Sequence, residues 1–216
     1  MIKSLTLVLC MMAVFTSTVA ANIVSFDMSV VWNGATPALL SPWLNATFDD
    51  EGTEGSVVLT ITAGNLSGTQ EKVKELHLNL DPTLNPLDLD FSAPTLISGE
   101  FDDPSADTGL NAFKADGDGK YHILIEFGTA DGGTDSFGAG DAVEFTINGI
   151  ASLTASSFNF ICLPKKVGEG EYFSVAHILG IEDIGEGGSG WITIPEPASI
   201  APLAIGALAL LRKRRA

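Results

Sequence analysis

From Asn22 to Ile194 apolar and polar residues alternate with period two, one short segment after another, and turn chemistry closes each segment. Phe26, Met28, Val30 and Trp32 alternate with Asp27, Ser29, Val31 and Asn33, and Asn33-Gly34 ends the run. Trp43 to Phe48 offers a short strand after a loop marked by Pro37 and Pro42. Ser56 to Ala63 puts Val57, Leu59 and Ile61 on one face before Gly64-Asn65 breaks it. Lys72 to Leu80 sends Leu76, Leu78 and Leu80 inward and Glu75, His77 and Asn79 outward.

Residues 83–120 are the least regular, with room for one or two short strands around Leu96 and Phe113. Further inward sets are Tyr121, Ile123, Ile125 and Phe127; Val143, Phe145 and Ile147; and Phe158, Phe160 and Cys162, while Phe173, Val175 and His177 face opposite Ser174, Ala176 and Ile178. Trp191 to Ile194 closes the series, and no helical periodicity of useful length interrupts it. About eight to ten short strands at this spacing predict an all-β fold: a single antiparallel β-sandwich over residues 22–194, jelly-roll-like or immunoglobulin-like.

The two ends read differently. Met1-Ile2-Lys3 is a positive start and Leu5 to Phe15 an apolar run. Thr18-Val19-Ala20 and Val19-Ala20-Ala21 both offer the small residues a leader peptidase requires. Residues 1–21 are therefore expected to be a signal peptide, with cleavage after Ala20 or Ala21. Cys10, between Leu9 and Met11, lacks the small neighbours of a lipoprotein box.

At the other end stand Pro195-Glu196-Pro197, then the uncharged run Ala198 to Leu211, then Arg212-Lys213-Arg214-Arg215. The prolines fix φ and disfavour helix in the residue before each, so the box is extended and exposed. The apolar run gives a helix of roughly 21 Å, short of the ~30 Å hydrocarbon core but within what mismatch tolerates. A packed helix of that length would carry a polar face, and this run has none. The basic cluster then stops translocation and stays cytoplasmic. A C-terminal transmembrane helix is the expectation.

This three-part ending at residues 195–215 resembles the PEP-CTERM sorting signal of exported bacterial proteins. Lys213 within the arginine cluster keeps the charge. The resemblance implies that Pro195, Glu196 and Pro197 are read by an exosortase, a membrane-embedded cysteine protease or transpeptidase. The implied route runs through the export machinery to an inner-membrane-anchored intermediate, then to the cell surface, extracellular polysaccharide or biofilm matrix. The runs Leu59 to Pro82, Leu110 to Phe127 and Val175 to Ile192 also look like the body of a common group of PEP-CTERM proteins, for which no activity is agreed.

Charge narrows the partners. Between Asp27 and Glu196 lie all 27 acidic residues against six lysines and no arginine, a net of −21. Nucleic acid is excluded as a natural partner, because phosphate binding needs a basic footprint. With the leader removed Cys162 is the only cysteine, so no intrachain disulfide forms and about 175 residues must be held by their core.

Little else carries chemistry. Asp116-Gly117-Asp118-Gly119 opens like a calcium loop, but the fifth and twelfth positions are Lys120 and Phe127, so the EF-hand pattern fails and a turn is expected. A looser calcium site at Asp116 and Asp118, drawing on Asp102, Asp103 or Asp107, is the one cofactor candidate. His77, His122 and His177 fall on three separate strands without zinc spacing, and each reads as a strand residue on a solvated or rim face. No nucleophile elbow is present, and no catalytic residue is assigned. Trp32 and Trp191 alternate with inward residues and read as core. Trp43, in a loop beside Pro42, is the candidate for stacking on a sugar. The expected role is non-enzymatic, structural or interactive. A carbohydrate-binding module is the first rival and an extracellular hydrolase the second.

Overall fold

The structure is a computed structural model and describes residues 20–67, 70–116, 118–129, 136–164, 172–183 and 186–194. The leader through residue 19 and all of 195–216, with the Pro-Glu-Pro box, the apolar run and the basic cluster, lie outside the described residues. Among the described residues no helix is long and apolar enough to cross a membrane.

The alternation becomes two antiparallel sheets. The first holds β1 (Ile23–Met28), β3 (Leu44–Asp49), β4 (Val57–Ala63) and β10 (Ala142–Asn148) in that spatial order. Two short strands, β6 (Asp90–Phe91) and β7 (Thr95–Ser98), both pair with β10. The second sheet runs β2 (Val30–Gly34), β12 (Glu186–Thr193), β11 (Ser174–Asp183), β5 (Lys72–Leu78), β9 (Asp118–Glu126) and β8 (Ser105–Ala115).

Registers follow from the buried positions. Phe48 lies opposite Leu59, and Phe145 also lies opposite Leu59, so three strands align their apolar faces. These side chains meet Leu76, Leu78, Ile123, Ile125, Ala176 and Ile192 of the second sheet in one cluster, as the two layers of a β-sandwich do. Phe158 stacks on Phe48 with centroids 4.2 Å apart. Each such apolar side chain contributes roughly 1.5–3 kcal/mol by burial.

Two details differ from the sequence reading. Phe26, Met28, Val30 and Trp32 are not one strand face. The chain leaves the first sheet after Met28 and enters the second at Val30, and Ser29 N–H bonds the carbonyl of Thr193 at 3.0 Å. Facing resets at that step: Val31 packs toward the inter-sheet core and Trp32 away from it. In β11 the two opposed faces serve different clusters. Ala176 and Ile178 enter the inter-sheet core, whereas Val175 joins a second cluster on the other side of the sheet. Phe158 to Cys162 is no strand either; Ala155–Phe158 is a 3-10 turn, followed by irregular chain.

Candidate functional site

The middle of the second sheet is covered on its outer side as well, and that side gathers the unusual chemistry. Alternation along β5 points Leu76 and Leu78 inward and Glu75, His77 and Asn79 outward. Val175, Trp191, Tyr121, Ala115 and Cys162 form a small core there, with Trp32, Phe113 and Tyr172 packed partly exposed against it. A returning segment makes the cover. Cys162 N–H donates to the carbonyl of Tyr172 at 2.8 Å, and the Asn79 side-chain amide donates to the carbonyls of Tyr172 and Phe173 at 3.3 and 3.1 Å. Outward residues of β5 are thereby buried, which alternation alone does not disclose.

The histidines are corrected accordingly. His77 is 2% exposed, not on a solvated rim. Its ring lies 5.2 Å from Tyr121 and 5.7 Å from Trp191, and neither ring nitrogen has a hydrogen-bond partner among the described residues. His177 stacks on Trp191 at 4.4 Å with planes 2° apart. Glu75 sits between the two imidazoles, with Oε1 3.5 Å from His177 Nδ1 and Oε2 3.9 Å from His77 Nε2.

Burial drives the His77 pKa from 6.5 down to about 4, and the attraction of Glu75 offsets only part of that. His77 is neutral at pH 7. The contact with His177 holds the Glu75 carboxyl below its ordinary value against the opposing effect of burial, helped by His77 at the acid pH where that imidazole is protonated and by the Lys74 charge. His122 is buried too. Burial lowers its pKa, and Leu80 N–H donates to its Nδ1 at 3.2 Å.

Beside this cover opens a cavity of about 330 Å³, lined by Leu80, Leu110, Asn111, His122, Ile161 and Leu163 among others. A bulge in β8 between Thr108 and Phe113, with Asn111 at φ 54°, brings Leu110 and Asn111 to its wall. A second cavity of about 390 Å³ includes Asp50 and Glu54. The Asp50 carboxylate accepts from the backbone amides of Asn22, Gly52 and Ala155 at 2.8, 3.1 and 3.3 Å. Burial raises its pKa, but those three amides together leave it below the ordinary value.

No protein-family model matches the chain, and comparison with curated proteins and with solved structures returns no significant match.

Trp43 requires a correction. It is 6% exposed and belongs to the inter-sheet core, where its Nε1 donates to the carbonyl of Leu39 at 2.7 Å. Its backbone is tied on both sides, N–H to Met28 and carbonyl to Gly64, which draws the ring inward despite the neighbouring proline. The half-exposed aromatic pair is instead Trp32 and Tyr172, with centroids 5.0 Å apart on the outer side of the second sheet.

Asp116 occupies the β8–β9 turn at φ 45° and accepts a hydrogen bond from the Asn33 side chain; the Asp118 side chain lies outside the described residues. Among the described residues no group of three or more His, Cys, Asp or Glu could hold a metal ion. Ala20 and Ala21 are exposed and lie outside any strand, just before β1.

Proposed function

We propose that this is an exported cell-surface or matrix protein of non-enzymatic, structural or interactive role, sorted by an exosortase through residues 195–216. The observation that carries the reading is the order at the C-terminus: Pro195-Glu196-Pro197, an uncharged apolar run, and Arg212-Lys213-Arg214-Arg215. Glu196 is an ionised group at the membrane boundary, which accounts for the box preceding the apolar run and not interrupting it. The transmembrane helix belongs to this proposal, as does the leader.

A body of two antiparallel sheets without a disulfide among its described residues suits a robust exported module. Its arrangement, with hairpins β3–β4, β8–β9 and β11–β12 and repeated crossings between sheets, is read as jelly-roll-like or immunoglobulin-like. Removal of residues 195–216 tests the proposal: the truncated protein is expected to leave the envelope for the medium. Unchanged location and processing of the truncated chain would count against it.

A second reading, carbohydrate binding, is favoured by the half-exposed Trp32 and Tyr172 beside the Asn33–Asp116 hydrogen bond. The acidic body selects neutral or amino sugars over acidic polysaccharides. Trp32→Ala should abolish retention on a neutral polysaccharide column; equal retention by both chains would dismiss it.

A further inference from the structure

The N-terminal end of β1 meets a pocket with a specific deficit. Asn22 N–H donates to Oδ1 of Asp50 at 2.8 Å, and Asp50 N–H donates back to the carbonyl of Asn22 at 3.2 Å. Asp50 is 6% exposed and its other partners are the neutral amides of Gly52 and Ala155. The pocket wall adds Ala20, Thr53, Glu54, Thr154 and Ser156 and, among the described residues, no lysine or arginine. A buried carboxylate thus faces the first described residues with hydrogen-bond donors but, among the described residues, no countercharge. Buried charges ordinarily have one.

We infer that Asp50 is the receptor for the α-ammonium group created by leader removal, and that cleavage falls between Ala21 and Asn22. This rests on the reading of residues 1–21 as a leader. Hydrolysis adds one water across that peptide bond: Ala21 keeps a carboxylate on the released leader, and the Asn22 nitrogen becomes an amine that takes up a proton. That nitrogen is the atom already bonded to Asp50. A neutral N–H···O⁻ contact therefore becomes an N⁺–H···O⁻ contact with no backbone movement, and the attraction of opposite charges is added to a bond whose acceptor was already ionised. Cleavage after Ala20 would leave the Asn22 nitrogen an amide and the charge one residue away. The processed chain is then more stable than its precursor, and folding is reinforced only after the leader has gone.

The charged groups around the ammonium are Asp50 and Glu54 in the pocket, with Asp49 and Glu51 on the same turn, all acidic. They raise its pKa above the ordinary value of about 7.7–8. The added stability is therefore fully present below that value and is lost as pH rises through the raised one.

The test compares the processed chain, residues 22–216 with a free Asn22 amine, with the same chain acetylated at that nitrogen. At pH 7 the free amine should unfold about 2–4 °C higher, and the gap should close by about pH 10. Equal midpoints at pH 7, or a gap unchanged at pH 10, overturn the proposal. Asp50→Asn should erase the gap, and a gap that survives it is contradictory; if that variant does not fold, the two pH values on the unaltered chain decide. Mass spectrometry of the exported protein should find Asn22 first. Ala21 first overturns the cleavage assignment, whereas an intact leader overturns the leader reading itself and is distinguishable from equal midpoints.

Discussion

Acidification should weaken this protein well before its carboxylates protonate, and His77 is the reason. In the folded chain its pKa is pushed down from 6.5 to about 4 by burial. In the unfolded chain it titrates near 6.5. Between those values the unfolded state binds the proton and the folded state does not, so stability falls as pH falls below 6.5. The loss is complete near pH 4. A shift of two and a half units at 1.36 kcal/mol each amounts to about 3 kcal/mol, a large share of the 5–15 kcal/mol typical of a domain. His77→Leu removes the titration and two ring nitrogens that lack hydrogen-bond partners, so at pH 7 it should change stability by no more than about 1 kcal/mol. Urea unfolding of both chains at pH 7, 6, 5 and 4 isolates the effect, because His122, lowered in the same direction, is present in each. Glu75 acts lower: its stabilisation holds above its unfolded value of 4.5 and is lost as pH falls through its depressed folded one. The variant should therefore overtake the parent by about 3 kcal/mol at pH 4. Parallel pH profiles would refute the assignment of a neutral, desolvated imidazole.

Other outcomes are as definite. Trp43→Ala should cost about 3–5 kcal/mol, as removal of a large core ring does, and thermal unfolding reads it directly. Asp50→Ala leaves the Asn22, Gly52 and Ala155 amides without their acceptor and should cost about 2–3 kcal/mol at pH 7 by urea titration. That contribution should also vanish on acidification through the lowered Asp50 pKa, since a depressed carboxyl stabilises only above its titration. Gly149→Ala places a Cβ 2.0 Å from the Asp88 carbonyl at φ 98°, and a loss of at least about 1–3 kcal/mol is expected in the same assay.

Strands covered on one face were legible in the sequence. Val57, Leu59 and Ile61 in β4 and Val143, Phe145 and Ile147 in β10 alternate cleanly because their sheet is packed mainly on one side. The middle of the second sheet is covered twice, so both parities of β11 and β12 are apolar or aromatic: Val175 beside Ala176, Trp191 beside Ile192. Period two then marks a strand without saying which side faces which core. The cover itself comes from an irregular segment around Cys162 and Tyr172, whose pairing depends on tertiary contact and not on local pattern. For the same reason His77 reads as solvated in the sequence and is buried in the fold. The long β8 was hidden by its bulge at 109–112, which breaks the alternation. Trp43 misled because a proline beside an aromatic usually marks a loop, whereas backbone bonds to Met28 and Gly64 carry it into the core.

Intact-mass analysis of the protein, from cells with and without the membrane protease proposed to read Pro195-Glu196-Pro197, bears most directly on the central proposal. With the protease present, the apolar run and its arginines should be gone from the surface form; without it, a chain ending at Ala216 should accumulate in the inner membrane. Identical C-termini and identical locations in the two strains would mean that these residues are not an address.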